Sequence, residues 1–400
     1  MSIGVAVLGS TGSVGVSTLE VLALHPDRYR VAVLAARSNA AALLAQCRRF
    51  APDWAALESL EAARELERGL RTHGSRTRVA AGADAIVQLA ADSQVNYVMA
   101  AISGAAGLRS TLAAAAAGKR LLLANKESAV MAGSLLIRAI ESSGAQLVPI
   151  DSEHNAIFQC LPANFRAGRR PEGVRRLMLT ASGGPFLNWS AEAVATATPA
   201  QACAHPRWNM GRKISVDSAT LMNKGLELIE ATVLFGMPPG DVDIVVHPQS
   251  IVHSMVEYVD GSVLAQMAAP DMRVPIAQAL ATPQRMAAGV EFLDLVRAGR
   301  LDFQAPDPER FPCLRLARDA AQRGGLHCAS LNAADEIAVQ AFLDKRLNFG
   351  DIPAVCETVM ERVQGGAMTG LEAVLAADGE ARALAREAVE HRQGLQSVRA

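Results

Sequence analysis

Aromatic side chains are scarce. Ten Phe, three Tyr and three Trp make up 4% of 400 residues, too few for a platform that stacks single-stranded nucleic acid. No charge of one sign is in excess either: 39 Lys and Arg face 40 Asp and Glu, for a net charge of −1. No global field draws the chain to nucleic acid or an anionic membrane, so any attraction for phosphate must be local. The six cysteines (Cys47, Cys160, Cys203, Cys313, Cys328 and Cys356) form no Cys-x-x-Cys pair. Their scatter argues for free thiols in a reducing compartment, against a disulfide framework or zinc ribbon. Long apolar runs are missing as well, and the opening one lacks a basic leader and a cleavage pattern before it ends in glycines. The expectation is a cytoplasmic chain with neither a nucleic acid nor a membrane as partner.

What is present describes a layered α/β chain. Hydrophobic residues are 50% and charged ones 20%, and the length implies two or three domains of roughly 150 residues. Up to Ile150, strand-like runs at Val5–Leu8, Val31–Ala35, Val79–Ala80, Tyr97–Ala100, Arg120–Ala124 and Leu147–Ile150 alternate with helical stretches such as Ala40–Phe50 and Leu57–Leu70. Such alternation predicts a Rossmann-like, doubly wound parallel sheet over 1–150. Beyond Asp151, runs at Arg176–Thr180, Asp243–His247, Ile251–Val259 and Ser262–Met267, with a hairpin signal at Asp260-Gly261, predict an α+β catalytic domain over 151–281. Residues 282–312 read as a linker, and 313–400 as a helical bundle that frays after His391.

Three clusters carry the chemistry. The first is Gly9-Ser10-Thr11-Gly12-Ser13-Val14-Gly15, between an apolar strand and a helical pattern. Its glycines let the backbone turn sharply and approach a pyrophosphate seated on the helix N-terminus. At the tip of the next strand an NAD site would carry Asp or Glu, but this chain has Arg37, Ser38 and Asn39. A cation and a hydroxyl suit a 2′-phosphate, so the cofactor read from these residues is NADPH; a plain solvated Arg37 is the alternative.

The second cluster, Asp151-Ser152-Glu153-His154-Asn155, follows a short buried strand. If the chain stays extended, Asp151 and Glu153 fall on one side and repel unless a cation or proton joins them. Alternatively Asp151 caps a helix that begins near His154. The third cluster runs from His205 to Glu227. Asn223 and Glu227 stand one turn apart beside Lys224, and Ser218 is placed at a helix start, where free amides seat an anion. Asp151, Glu153 and Glu227 would supply three oxygen ligands, a hard set that favours Mg²⁺ or Mn²⁺ over zinc. His247 and His253 lie on apolar strands and read as structural, while Asn332, Asp335 and Glu336 read as helix-start residues without chemistry. A semialdehyde dehydrogenase shares the glycine pattern but needs a nucleophilic thiol, for which Cys160 is the nearest candidate. A non-catalytic dinucleotide-binding regulator would leave the carboxylates unexplained.

With Gly9–Gly15, Ala124-Asn125-Lys126-Glu127-Ser128, Asp151–Asn155, Thr180–Phe186, His205–Glu227 and His247-Pro248-Gln249-Ser250 in order, the chain resembles the 1-deoxy-D-xylulose 5-phosphate reductoisomerases. The resemblance implies NADPH- and metal-dependent isomerisation and reduction of that sugar phosphate to 2-C-methyl-D-erythritol 4-phosphate, in non-mevalonate isoprenoid precursor biosynthesis. It also implies a homodimer. It places Thr11, Gly12, Ser13 and Val14 on the pyrophosphate, Arg37, Ser38 and Asn39 at the adenosine end, and Asn125 and Glu127 on the nicotinamide side. Asp151, Glu153 and Glu227 would hold the metal; Ser182, Ser218, Asn223 and Lys224 the substrate phosphate. Ser152, Lys126 and His205 would meet the reacting carbons and their oxygens. Trp208 and Met210 would belong to a mobile flap near 183–212, with Gly211 at its hinge beside the cofactor. The family often has Gly where this chain has Arg37.

Overall fold

In the computed structural model, residues 2–206, 208 and 211–399 are described. They form two compact units. One comprises Met1–Ser128, Leu136–Phe158 and Asp271–Phe292; the other comprises Ala129–Leu135, Gln159–Pro270 and Leu293–Ala400.

The first unit is built on seven parallel strands: β1 (Ile3–Leu8), β2 (Tyr29–Ala36), β3 (Trp54–Leu57), β4 (Arg78–Ala81), β5 (Tyr97–Ala100), β6 (Arg120–Leu123) and β7 (Gln146–Pro149). Val5, Ala6, Val7 and Leu8 are fully buried, as a central strand covered on both faces requires. The order is β4-β3-β2-β1-β5-β6-β7. Strand order reverses at β1, so a crevice opens beyond its carboxyl end, where doubly wound sheets bind ligands. The predicted α/β class and Rossmann-like sheet are therefore present. The helix Arg273–Ala281 returns to this unit, with Ile276, Ala277, Ala279 and Leu280 packing into the cluster of Val5, Val7, Leu122 and Val148. Tyr29 donates its hydroxyl to Leu280 O at 3.0 Å, and Arg120 donates to Thr282 O at 3.1 Å.

Two boundaries differ from those read in the sequence. Leu57 closes β3 and does not open a helix; the helix runs Leu60–Thr72, with Ser59 accepting from Ala62 N as its cap. A two-alanine strand carries almost no pattern of its own. The helix after Asn125, whose pattern in the sequence reads as Ser134–Ser142, starts at Lys126 and runs to Ser143, with a non-helical Ala132 (φ −132°, ψ 30°) inside it.

The second unit holds a four-stranded mixed sheet of β8 (Val174–Ala181), β9 (Val242–Val246), β10 (Val252–Tyr258) and β11 (Val263–Met267), in the order β11-β10-β8-β9. β8 and β9 are parallel; the other pairs are antiparallel. Asp260 Oδ1 accepts from both the amide and the hydroxyl of Ser262 and so closes the hairpin at the expected turn. The helices Met222–Phe235, Cys313–Arg323, His327–Leu343, Ile352–Arg362 and Leu371–Arg399 belong to this unit. Met222, Leu226, Leu316, Leu331, Phe342 and Val355 join one apolar core there. The last helix continues past His391, where the sequence was read as fraying. Among the described residues, no helix is long and apolar enough to cross a membrane.

Candidate active site

Register decides what meets at the carboxyl edge of the parallel sheet. Leu123 of β6 pairs with Pro149 of β7, so the residues that follow each strand emerge side by side. Lys126 Nζ lies 2.8 Å from Asp151 Oδ2, with both side chains almost buried. Asn125 caps the helix that Lys126 opens: its Oδ1 accepts from Ser128 N at 2.9 Å. Its Nδ2 donates to Ile102 O at 2.5 Å and to Glu127 Oε2 at 2.9 Å, tying the loops beyond β5 and β6 together.

Asp151 is not followed by extended chain. A helix covers Ser152–Cys160, and Asp151 Oδ1 accepts from Glu153 N at 3.3 Å, so the capping alternative is the geometry found. The carboxylate oxygens of Asp151 and Glu153 nevertheless come within 4.8 Å of each other. Ser152 Oγ donates to Glu153 Oε2, and the buried His154 places Nδ1 3.4 Å from Asp151 Oδ1. Asn155 donates to Pro149 O at 2.9 Å and Gln278 Oε1 at 2.8 Å, which locks the helix start onto β7. Two crowded carboxylates with an all-oxygen donor set fit a hard divalent cation.

The glycine loop fits a dinucleotide by the same sheet logic. Gly9 has φ +85°, and a Cβ there would stand 2.3 Å from Ala101 O; one on Gly15 would stand 2.3 Å from Gly9 O. Only bare backbone closes this turn. Gly12 and Ser13 are exposed at the start of the helix Ser13–Ala23, between the half-buried Thr11 and Val14. Arg37 and Ser38 are exposed beyond β2, and Asn39 caps the next helix by accepting from Ala42 N at 3.0 Å.

In the second unit, the loop after β8 and the segment from His205 meet. Ser182 Oγ lies 2.9 Å from His205 Nε2 and accepts from Gly184 N at 3.2 Å. His205 Nδ1 accepts from Trp208 N at 2.9 Å, which puts the proton of the neutral ring on Nε2. Burial holds this imidazole down to about 4. A Cβ on Gly184 (φ +69°) would stand 2.7 Å from Ser218 O, so the Ser182 loop runs tightly against Ser218. Met210, Arg207 and Asn209 lie outside the described residues. Gly211 is the N-cap of the helix Arg212–Ala219.

Ser218 does not open a helix, as the sequence reading had it. It sits in the last turn of Arg212–Ala219, and Leu221 in the left-handed region (φ 58°) turns the chain into Met222–Phe235. The amides of a helix start therefore belong near Asn223 and Lys224, not near Ser218. Asn223 Nδ2 donates to Glu227 Oε1 at 2.5 Å, and Lys224 forms a buried ion pair with Glu227. His253, read from the sequence as structural, is buried on β10. Its ring lies 6.4 Å from that of Trp208, and burial, reinforced by the nearby His247 and Lys224, pushes it down to about 4. His247 does serve structure, with Nδ1 on Asp302 O at 2.8 Å. Cys160 is buried and its thiol raised to about 11, which removes it as a nucleophile.

The pattern described as 1-deoxy-D-xylulose 5-phosphate reductoisomerase matches residues 5–133. Two C-terminal-domain patterns of the same enzyme match 147–235 and 267–384. The chain belongs to the 1-deoxy-D-xylulose 5-phosphate reductoisomerase family. It is 58% identical over 381 residues to the reductoisomerase of Pseudomonas syringae pv. syringae (strain B728a), covering 95% of this chain and 96% of that one. The reductoisomerase of Methylococcus capsulatus (strain ATCC 33009 / NCIMB 11132 / Bath) is 57% identical over 97% of this chain and 98% of its own. Among solved structures, the family member from Zymomonas mobilis in complex with NADPH superposes with a TM-score of 0.90 at 47% identity, over 97% of this chain and 99% of that one. A second member, crystallised with NADPH, fosmidomycin and magnesium, gives 0.91 at 45% identity over 97% and 98%.

Proposed function

We infer that this chain converts 1-deoxy-D-xylulose 5-phosphate to 2-C-methyl-D-erythritol 4-phosphate with NADPH and Mg²⁺ or Mn²⁺. The observation that carries the reading is the Lys126–Asp151 pair, with Glu153 beside it, at the ligand edge of the sheet in a chain of this family. Asp151, Glu153 and Glu227 are proposed as the metal ligands. The cation supplies polarisation of the ketone and NADPH supplies hydride to the rearranged aldehyde. Everything else falls to the chain itself. Lys126 offers a proton at Nζ and stabilises negative charge on a substrate oxygen. His205 offers a hydrogen bond from Nε2. Ser152 lies between the two carboxylates in sequence and serves the substrate oxygens.

Ser182, Ser218, Asn223 and Lys224 are proposed to hold the phosphate. Lys224 gives the buried cation and the others give neutral donors, a combination that recognises a dianion. Trp208 and Met210 are proposed to close over the substrate, with Gly211 as hinge and cofactor contact. Thr11, Gly12, Ser13 and Val14 would hold the pyrophosphate, Arg37, Ser38 and Asn39 the adenosine end, and Asn125 and Glu127 the nicotinamide side. We also infer a cytoplasmic homodimer; exposed Val263, Leu264 and Met267 on the edge strand β11 support self-association.

The test is the loss of the NADPH absorbance band with this sugar phosphate. Turnover should stop with EDTA and return with Mn²⁺ or Mg²⁺. Full activity in the metal-free protein would refute the metal assignment, and no turnover with metal present would refute the substrate.

A further inference from the structure

Helix Arg212–Ala219 carries a second polar group, in which a partly exposed lysine reaches two buried carboxylates. Lys213 Nζ lies 2.7 Å from Asp217 Oδ2 one turn on, and 2.8 Å from Asp335 Oδ2 of the helix His327–Leu343. Asp217 is 2% exposed and Asp335 0%. Asp217 Oδ1 and Asp335 Oδ1 have no hydrogen-bond partner among the described residues. Thr220 donates its hydroxyl to Asp217 O. Cys313 and Cys356 face the same group from the helices Cys313–Arg323 and Ile352–Arg362, and burial raises both thiols, so they add no charge.

Two carboxylates removed from water share one partly exposed ammonium, and the second negative charge is costly at such burial. One proton shared by the carboxyl pair cancels it and satisfies an orphaned oxygen. The raised pKa of Asp217, caused first by burial and then by the charge of Asp335, agrees in direction. None of this polar expense is needed to pack two helices. Apolar residues of similar size would pack them at least as well.

We propose that Lys213 and the buried, proton-sharing carboxyl pair of Asp217 and Asp335 form a clamp that holds the helix Arg212–Ala219 on the helix His327–Leu343 and thereby positions Ser218 and the Gly211 hinge. They are positioning residues and touch no reacting atom. The clamp sits between the two functional ends of one short helix: Gly211 is its N-cap and Ser218 lies in its last turn. The inference rests on the phosphate role given to Ser218 above.

Three variants of the full-length enzyme test it: Asp335→Asn, Asp335→Ala and Lys213→Met. Asparagine imitates the protonated partner, so Asp335→Asn should keep KM for the sugar phosphate within a few-fold of the parent. Asp335→Ala and Lys213→Met should raise KM about ten- to a hundredfold, with a smaller change in kcat, because the phosphate seat shifts. Hydrogen exchange should accelerate over 212–219 in those two variants while β8 and β9 keep their protection. Exchange needs no turnover, so it decides the clamp even if the substrate assignment fails. The proposal is overturned if Asp335→Asn is as damaging as Asp335→Ala, or if Lys213→Met leaves both KM and exchange unchanged. Uniform loss of protection across the unit would overturn it too, since that marks a purely structural cluster.

Discussion

Lys224 and His253 show how burial assigns work to single residues. Lys224 is 3% exposed, and its visible partner is the carboxylate of Glu227. Glu227 already pairs with this cation, so the ammonium is held fixed where the proposed substrate phosphate would meet it. Lys224→Ala should raise KM for the sugar phosphate about ten- to a hundredfold, the worth of one charge-assisted bond of about 1.5–3 kcal/mol. An unchanged KM removes Lys224 from the phosphate seat. His253 is neutral in the fold, held down to about 4 by burial, against 6.5 for the free side chain. Its contribution to stability is complete above pH 6.5 and is lost as pH falls toward 4, because the unfolded chain takes up the proton first. The slope is about 1.4 kcal/mol per pH unit for one proton. Chemical denaturation across that window should show a shallower acid loss in His253→Gln, and an identical slope would contradict the burial argument. For Arg37, exposed beyond β2, the expected outcome is a preference for NADPH over NADH that narrows in Arg37→Ala. Steady-state comparison of the two coenzymes checks it.

At the scale of elements, one glycine links two parts of the proposed phosphate seat. Gly184 combines φ +69° with a backbone approach to Ser218 O that leaves a Cβ only 2.7 Å away. Gly184→Ala should therefore cost about 1–2 kcal/mol of stability from the left-handed backbone alone. It should also raise KM for the substrate as Ser182 is displaced. Thermal unfolding and kinetics together test this; a loss of stability with KM untouched would separate the loop from the site. The same scale shows what the sequence could reveal. The strands β1, β2, β5, β6 and β7 were legible because buried parallel strands read as apolar runs between turns. β3 was not, since Trp54-Ala55-Ala56-Leu57 blends into the helical pattern after it. At Asp151 the sequence left capping and extension both open, because they look alike in a short polar stretch, and Ser218 was placed at a helix start for a related reason. Which side of a turn a serine occupies depends on Leu221 adopting the left-handed region, which nothing in its side chain announces. The return of Arg273–Ala281 to the parallel sheet is invisible in sequence, because its partners Tyr29 and Arg120 lie more than a hundred residues away.

For the whole molecule, the open question is how many copies act together. β11 is an edge strand of its sheet, and Val263, Leu264 and Met267 on it are 47%, 49% and 39% exposed; Val259 before the hairpin is 74% exposed. Monomeric proteins often blunt such edges with Lys or Pro, and none of the five residues Val263–Met267 is charged or Pro; the one register shift in its pairing lies on β10, between Val252 and Ser254. A second copy of the chain is the partner that would make this apolar edge useful, since two-fold pairing buries the same patch twice. Sedimentation of the parent should give a dimer, and Leu264→Lys on β11 should shift it toward monomer by placing a charge in the contact. Because Leu264 belongs to neither the proposed metal ligands nor the phosphate seat, the monomer's turnover then reports whether the second copy supports catalysis. A parent that sediments as a monomer at all concentrations would defeat the dimer inference and leave the family and site assignments standing.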